Sequence, residues 1–282
     1  MPDPRKMTTT RLPLTGTSTS SPLNPLRSGM PAMDSVQKTM TFAPKRGGPT
    51  YSILRSTETD SYETTPHAVK LAKILRRKGA LPSAALAAAV KAKPPVGDNF
   101  AGTDRKAAKL SKAKASTEKF KDLKDLIGSL TPEAKMIKHK PPITRVATSD
   151  RVKEEQRNVS VAAFLYAASR EADNDFHLII GRDHTLTPEM YMTMEVSGLP
   201  PKNAPAFADL NAARNAYKKF FGATKLPGST YDFYDPPIPI QIEGSLFFDV
   251  THATGGRPGP QSLKSRMPVI WEVHPLTSIK LG

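Results

Sequence analysis

The sequence predicts a mainly β domain with one helix, in the order β-β-β-α-β-β, preceded by a largely disordered basic arm with short helices. The chain of 282 residues has a net charge of +15. All of this surplus lies in residues 1–150, which hold 27 Lys and Arg against 12 Asp and Glu, whereas residues 151–282 hold 14 of each. From residue 158 onward the apolar residues follow a period of two, which is typical of strands. We therefore predict a disordered tail over 1–64, a basic region of short helices and low-complexity linker over 65–150, and a small β-barrel domain over 151–282.

The tail is predicted to be disordered because prolines interrupt a Ser- and Thr-rich sequence without apolar periodicity. Its prolines are Pro2, Pro4, Pro13, Pro22, Pro25, Pro31, Pro44 and Pro49. Such a segment buries too little apolar surface to offset a backbone ordering entropy of about 1–2 kcal/mol per residue. The first fifty residues contain only two acidic side chains. They therefore also resemble a transit peptide, which leaves organelle targeting open beside a cytoplasmic or other intracellular location.

The basic region carries signals for short helices. Thr65 as N-cap, Pro66 at the first helical position and Gly79 after the end predict a helix over 66–78. Further helices are predicted over 83–92 and 116–128, and another helical turn begins at Thr131-Pro132-Glu133. Isolated helices below about 12–15 residues are marginal in water, so these helices require a partner to dock on.

Lysine and arginine side chains of this region are predicted to contact nucleic acid or another polyanion. The Lys/Ala/Ser run over 103–116 is typical of tails that bind nucleic acid. A Gly- and Pro-rich loop over 253–264, between the last two predicted strands, offers further cations, although it is equally well explained as a long hairpin connection. The candidates are Lys70, Lys73, Arg76, Arg77, Lys78, Lys106, Lys109, Lys112, Lys114, Arg257, Lys264 and Arg266.

The second half contains the alternating patterns of five strands. The predicted elements are strands over 158–169, 175–182 and 190–197, a helix over 206–221, and strands over 238–251 and 268–281. Five strands with a helix between the third and fourth describe an OB fold, a small Greek-key barrel. Gly244 lies where a long strand of such a barrel bends. The alternatives are an open antiparallel sheet with a helix on one face, or a partly closed sandwich.

Composition and missing motifs exclude several kinds of chemistry. The chain has no cysteine, which excludes disulfides, a thiolate nucleophile, zinc fingers and iron-sulfur clusters. Any metal site must therefore use His and carboxylate ligands. No apolar run approaches the roughly 20 residues that a transmembrane helix needs. The motifs GxSxG, HExxH and GxxxxGK[ST] are also absent from the sequence.

Two groups of polar residues could bind a divalent cation such as Mg²⁺, Mn²⁺ or Zn²⁺. In an extended strand, Asp173, Asp175 and His177 share one face. Carboxylates and imidazole are suitable ligands for these ions, which activate water for phosphodiester hydrolysis. The alternative is a polar turn between two strands, since Asp and Asn favour turns for backbone reasons.

The second group lies on the last predicted strand, where Glu272 and His274 face away from Trp271 and Val273. In a five-stranded barrel this strand approaches the others, so its polar pair could converge with the first group. The alternative is a hydrogen-bonded pair that braces the barrel closure. The full set of predicted metal ligands is Asp173, Asp175, His177, Glu195, His252, Glu272 and His274.

Residues from about 157 to 281 resemble an uncharacterised OB-like domain family of bacterial and phage proteins. The resemblance rests on a DxDxH segment, a G-x-L-x-F-D-x-x-H strand and a terminal W-E-[IV]-H-P-[IV]-T strand. The matching residues are Asp173, Asp175, His177, Gly244, Leu246, Phe248, Asp249, His252, Trp271, Glu272, His274, Pro275 and Thr277. Leu276 replaces the β-branched residue of the family pattern. The resemblance implies an OB-like fold and residues worth testing, and it implies no particular activity.

Three functions are compatible with the sequence. The segregated charge favours a binding protein whose basic arm holds nucleic acid or another polyanion and whose second domain binds a ligand. A metal-dependent hydrolase, such as a phosphodiesterase, would instead use the Asp, Glu and His residues. A structural or assembly component would order its arm on a protein partner. The sequence does not decide whether the protein is an enzyme.

Overall fold

In a computed structural model, the chain is described over residues 29–60, 97–254 and 256–282. The strands are β1 (Val36–Phe42), β2 (Tyr51–Ser56), β3 (Thr117–Phe120), β4 (Asn158–Arg170), β5 (Phe176–Gly181), β6 (Tyr191–Val196), β7 (Asp232–Phe248) and β8 (Trp271–Leu281). The helices are α1 (Lys106–Lys109), α2 (Leu123–Gly128), α3 (Glu133–Ile137) and α4 (Phe207–Phe221). The helices predicted over 66–78 and 83–92 lie outside the described residues.

All eight strands belong to one sheet with the order β1-β2-β7-β8-β6-β5-β4-β3. Strand β7 pairs with β4 as well, so that β4, β5, β6, β8 and β7 form a closed ring of five strands. Within this ring only β6 and β8 are parallel. Outside it, β1 and β2 extend the sheet from β7, and β3 lies parallel to β4.

The predicted succession of three strands, a helix and two strands occurs in the second half as β4, β5, β6, α4, β7 and β8. The protein is mainly β, but the prediction of a small OB-like barrel with one helix is wrong. The sheet has eight strands, and the described residues form four α-helices. The difference arises because the first half contributes β1, β2 and β3 to the same sheet.

The predicted disorder of residues 1–64 is wrong for residues 29–60. Strands β1 and β2 form an antiparallel pair, and β2 continues onto β7 with Ile53 opposite Tyr234. Phe42, Tyr51 and Ile53 are buried in the main hydrophobic core. Their burial depends on the edge of β7, about 180 residues further along the chain, so local composition could not reveal it. For the same reason, residue 151 does not separate two independently packed parts.

The helix predicted over 116–128 forms only in its second half. Residues 117–120 are strand β3, because they find a parallel partner in β4. Helix α2 begins after Asp122, whose carboxylate accepts a 2.8 Å hydrogen bond from the Lys124 amide. Leu123 and Leu126 then enter the main core. The turn predicted at Thr131-Pro132-Glu133 is confirmed, since α3 begins at Glu133.

Two buried arginines attach the basic region to the ring. Arg105 donates to both carboxylate oxygens of Glu155, each at 2.7 Å. Arg151 donates to the backbone carbonyls of Ala108 at 2.7 Å and His274 at 2.6 Å. These hydrogen bonds are made to buried groups that would be costly to leave unpaired, so they hold α1 against β8.

Residues 97–101 form a second attachment, which runs across the ends of β5 and β6. The Leu199 amide donates to the Asp98 carbonyl at 2.7 Å, and the Ala101 amide donates to the Asp173 carbonyl at 2.8 Å. From α4, the buried Arg214 donates to the Asp98 carboxylate at 2.9 Å. The segment that precedes α1 is therefore held directly above the acidic start of β5.

The narrow approach of β8 to Gly244 yields a test of the ring. A Cβ at this position would lie 2.5 Å from the Pro275 carbonyl oxygen and 2.7 Å from Val273 Cγ1. Because backbone atoms must shift to accept it, Gly244→Ala should lower the free energy of unfolding by about 1–3 kcal/mol. Urea denaturation monitored by tryptophan fluorescence measures this change.

The matched control is Gly128→Ala at the end of α2. A Cβ there meets no atom of the described chain within 4 Å, so the unfolding free energy should stay the same or rise by up to about 1 kcal/mol. Equal stability of the two variants would show that the approach of β8 to Gly244 is not tight.

Candidate metal centre

The pairing of β5, β6 and β8 places polar side chains beside one another. His177 on β5 lies opposite Glu195 on β6. In the parallel pair of β6 and β8, Thr193 lies opposite Glu272. One alternation further along both strands, Glu195 and His274 follow on the same face. The register therefore places His177, Glu195 and His274 in one row and Glu272 next to it.

This polar row lies on the face opposite to the main core. On β6, Met194 and Val196 enter the core, whereas Glu195 points the other way. On β8, Trp271 and Val273 enter the core, so Glu272 and His274 share the opposite face, as the alternation predicts. Both faces are nevertheless buried, because residues of the basic region cover the polar one. The site is thus a layer of charged groups enclosed between the sheet and the covering segments.

Four groups of three residues have ligand atoms that all lie within 4.8 Å of one another. The inner triad is Asp175, Glu195 and His274; the central triad is His177, Glu195 and Glu272. The outer triads are Asp249, His252 and Glu272, and Asp60, Glu171 and His177. Glu195, Glu272 and His177 each belong to two triads. The four groups therefore form one connected cluster.

Histidine nitrogens lie 3.1–3.4 Å from carboxylate oxygens within the cluster. His274 Nδ1 lies 3.1 Å from Glu195 Oε2, and His274 Nε2 lies 3.4 Å from Asp175 Oδ2. His177 Nδ1 lies 3.4 Å from Glu195 Oε1 and 3.1 Å from Glu171 Oε1. His252 Nε2 and Asp249 Oδ2, at 3.4 Å, make a similar pair at the opposite end.

Six of the seven predicted ligands belong to these triads: Asp175, His177, Glu195, His252, Glu272 and His274. Asp173 belongs to none of them and instead lies 3.1 Å from the Lys109 ammonium. The convergence of β5, β6 and β8 that was only an expectation from the sequence is therefore present in the structure.

Three acidic members of the cluster were not predicted as ligands. Asp249 precedes His252 by three residues and belongs to the resemblance motif, so a signal for it existed. Glu171 lies just before the predicted acidic segment, but nothing in its spacing marks it. Asp60 lies in the region predicted to be disordered and reaches His177 only because β2 joins the sheet; its Oδ2 lies 3.7 Å from His177 Nε2.

Several buried atoms of the cluster lack a hydrogen-bond partner. Within the described chain these are Oδ2 of Asp175, Oε2 of Glu195, Oε2 of Glu272, and both ring nitrogens of His177 and of His274. Carboxylate oxygens lie near the imidazole nitrogens but are not aligned with them as hydrogen-bond partners. A buried polar atom that is left without a partner costs about 1–3 kcal/mol, and more when it is charged. These unpartnered nitrogen and oxygen atoms lie close to one another, as the ligand atoms around a cation do.

Crowding shifts the protonation of the carboxyl groups. Burial raises the pKa of Glu272 well above its ordinary value, and the charges of Glu195 and Asp249 raise it further. Burial and the charges of Asp173 and Glu195 do the same for Asp175. The pKa of Glu195 falls well below its ordinary value, because nearby cationic groups outweigh its burial. The shifts thus favour the charged form of Glu195 and the protonated forms of the two carboxyl groups that flank it.

The histidines differ in the same way. Burial lowers the pKa of His274 to about 3, with Lys109 and Arg151 adding to the effect, so this ring is neutral. Burial also acts on His177, but the charge of Glu171 outweighs it and raises the pKa well above its ordinary value. His274 therefore has the neutral form of imidazole that binds metal ions, whereas His177 would have to release a proton to bind one.

Lys109 of α1 is the cation that the structure places against the cluster. Its ammonium lies 3.1 Å from Asp173, 3.8 Å from Asp175 and 3.9 Å from Glu195. Burial opposes the charge, but Glu195, Asp173 and Asp175 together raise the pKa of Lys109 well above its ordinary value. Lys109 therefore lies against the carboxylates of the cluster, and its predicted contact with a polyanion stays a prediction.

A pocket of about 260 Å³ opens onto the cluster. Its wall includes His177, Glu195, Asp249, His252 and Lys109. The other triad members on β8 and at the start of β5 are fully buried behind this wall. The cluster thus has a side that faces the pocket and a side that is closed.

The remaining predicted polyanion contacts are dispersed. Lys70, Lys73, Arg76, Arg77 and Lys78 lie outside the described residues. Lys112 forms an exposed ion pair with Asp209, Arg257 pairs with Glu133 at 2.6 Å, and Arg266 pairs with Glu189 at 3.1 Å. Lys106 and Lys114 are exposed, and Lys264 is half-buried.

Comparison of the chain with protein-family models finds no matching model. Searches among curated proteins and among solved structures find no match either. The resemblance to the OB-like family therefore stays a prediction. Among the helices that the structure describes, none has the length and apolar character of a membrane span.

Replacing Lys109 tests whether the cluster attracts a cation. In Lys109→Met, the loss of the ammonium leaves Asp173, Asp175 and Glu195 without this counter-charge, so the dissociation constant for Mn²⁺ should fall by about tenfold. Isothermal titration calorimetry measures the constant for the variant and the wild type.

The control for this measurement is Lys106→Met, which removes an exposed lysine from the same helix. Its affinity for Mn²⁺ should equal that of the wild type, because an exposed charge is screened by solvent. Weaker binding by Lys109→Met would contradict the competition between the ammonium and the ion.

Proposed function

We propose that the protein is a divalent-cation-dependent hydrolase. The catalytic ion binds to the central triad His177, Glu195 and Glu272, with the pocket as the substrate site. The observation that carries this proposal is the convergence of buried, unpartnered carboxylate and imidazole atoms at the floor of a pocket. One imidazole and two carboxylates are ligands that suit Zn²⁺ and Mn²⁺.

A purely structural role explains this cluster poorly. Buried ion pairs contribute little to stability even when their geometry is good, because desolvation offsets the attraction. Here the carboxyl groups outnumber the cationic groups, and burial together with the neighbouring carboxylates raises the pKa of Glu272 and of Asp175 well above its ordinary value. Such a costly arrangement is typical of functional sites, where perturbed pKa values concentrate.

The pocket supplies the other parts of a hydrolytic site. An ion with an open coordination position lowers the pKa of a bound water to about 7. His177 and Glu195 line the pocket while Glu272 is buried behind them, so an ion held by these residues would supply an activated water on the side that the substrate reaches. The Asp249–His252 pair in the wall is placed to accept a proton, and Lys109 is placed to stabilise negative charge.

Polyanion binding by the basic half is a second candidate function. It is favoured by the charge surplus, which lies wholly in residues 1–150. Titration of the full-length protein with labelled DNA and RNA at several salt concentrations tests it. Binding through phosphate contacts should weaken steeply as the salt concentration rises, and no binding at low salt would eliminate this function.

Glu272→Gln separates metal binding from folding. Burial and the charges of Glu195 and Asp249 raise the pKa of Glu272 well above its ordinary value. Because this shift favours the neutral form, the neutral amide should leave the metal-free stability within about 1 kcal/mol of wild type. In wild type, Mn²⁺ or Zn²⁺ at 100 times its dissociation constant should add about 2.7 kcal/mol. In the variant that gain should disappear, together with hydrolysis of p-nitrophenyl ester substrates. Thermal melts with metal or with EDTA measure the stabilisation by the ion. The absorbance of released p-nitrophenolate at saturating metal measures hydrolysis.

The matched control is Glu243→Gln, which changes a half-buried carboxylate of β7 that accepts a hydrogen bond from Thr117, away from the pocket. This variant should retain the metal-induced gain and the activity. If the wild-type protein shows neither metal-induced stabilisation nor hydrolysis of any p-nitrophenyl ester, the proposed function is wrong.

A further inference from the structure

We infer that Glu195 bridges two cations, and that the second ion, held by Asp175 and His274, makes the pocket a two-ion site for phosphodiesters. This inference rests on the proposed function, because it adds an ion to the one in the central triad. It also narrows the substrate from esters in general to esters of phosphoric acid.

The two oxygens of Glu195 face different histidines. Its Oε1 lies 3.4 Å from His177 Nδ1, whereas its Oε2 lies 3.1 Å from His274 Nδ1. Each side has a further carboxylate, which is Glu272 in the central triad and Asp175 in the inner one. A carboxylate with an imidazole and another carboxylate on either side has the ligand arrangement of a bridge between two ions.

Asp175 has one carboxylate oxygen available to bind a metal ion. Its Oδ1 accepts a 2.6 Å hydrogen bond from the Gly198 amide, which holds the side chain in place. Its Oδ2 lies 3.4 Å from His274 Nε2 and has no hydrogen-bond partner in the described chain. The side chains of Asp175 and His274 are fully buried, so they close this inner position on the side away from the pocket. Glu195 and Lys109, which line the pocket, lie on its other side.

The ammonium group of Lys109 shows that the inner triad attracts a cation. Its ammonium lies 3.8 Å from Asp175 Oδ2 and 3.9 Å from Glu195 Oε2, the oxygens of the inner triad. Asp173, which belongs to no triad, lies nearer to it at 3.1 Å. When an ion enters, Asp173 can retain the ammonium at the pocket wall, where it remains available to an anionic substrate.

The chemistry of two bridged ions favours phosphate esters. Ions about 3.5–4 Å apart stabilise both the attacking and the leaving oxygen of an in-line displacement at phosphorus. In the net reaction, the oxygen of water forms a bond to phosphorus and the bond from phosphorus to the departing alkoxide breaks. One proton of the water passes through the Asp249–His252 pair to that alkoxide, which yields a phosphomonoester and an alcohol. No oxidant or reductant is required.

The experiment counts ions on the full-length protein and detects whether they are bridged. Purified protein is stripped with EDTA and titrated with Mn²⁺ alone, by calorimetry and by electron paramagnetic resonance. Wild type should bind two ions per chain, and at saturation its spectrum should show exchange coupling between them. His274→Ala should bind one ion and show the six-line spectrum of isolated Mn²⁺. The exposed residue His184 provides the control, and His184→Ala should behave as wild type.

The outcomes distinguish this inference from the proposed function. No bound ion in wild type overturns both. One ion per chain, with hydrolysis intact, overturns the second site only. Two ions without exchange coupling overturn the bridge by Glu195. If His274→Ala does not fold, Asp175→Asn replaces it, because the amide oxygen of asparagine can still accept the Gly198 hydrogen bond while the second anionic ligand is lost.

Substrate class is tested with bis(p-nitrophenyl) phosphate and p-nitrophenyl acetate at saturating Mn²⁺. Wild type should cleave the phosphodiester, and His274→Ala should lose about 10- to 100-fold in kcat/KM for it. Cleavage of the acetate ester alone would overturn the phosphodiester inference and leave the hydrolase standing.

Discussion

The rest of the structure depends on one constraint, which is that carboxylates and imidazoles occupy a buried face of three adjacent strands. The register of β5, β6 and β8 brings these groups together, and covering them removes the water that would otherwise solvate them. Such a layer persists only if the protein supplies cations, retains protons on some carboxyl groups, or binds metal. The first two occur here in Lys109 and in the raised pKa values of Asp175 and Glu272. Both remain costly, and this is why the same layer could hold a divalent ion.

Some cationic side chains of the basic half neutralise buried carboxylates of the protein itself. The charge surplus of this half suggested an arm that reaches outward, yet some of its cations point inward. Arg105 neutralises the buried Glu155, and Lys109 lies against the acidic cluster. The segment that carries them is held by backbone hydrogen bonds to the strand ends and by Arg214. Residues 102–109 therefore contribute to the wall of the pocket as well as to the basic region.

Much of the site could be predicted from the sequence, because a period of two is a local property. The sequence alone shows the alternation that separates Trp271 and Val273 from Glu272 and His274. The same alternation predicts the strands of the second half. What could not be predicted depends on pairing between distant segments. Asp60 reaches His177 through the attachment of β2 to β7, and residues 117–120 become a strand only beside β4. Propensity and composition carry no information on such edges.

The register of the parallel pair β6 and β8 determines which side chains of β8 lie beside Glu195. A shift of this pair by one residue would place Val273 beside Glu195 and turn Glu272 and His274 toward the apolar core. Insertions or deletions inside β6 or β8 would therefore remove the ligands as surely as replacing them. Residues 256–270 are held as well, because Leu263 and Met267 are buried in a second hydrophobic cluster and the Gly259 amide donates to the Asp60 carboxylate. A change in the length of this connection would therefore move Asp60 and, through it, disturb His177.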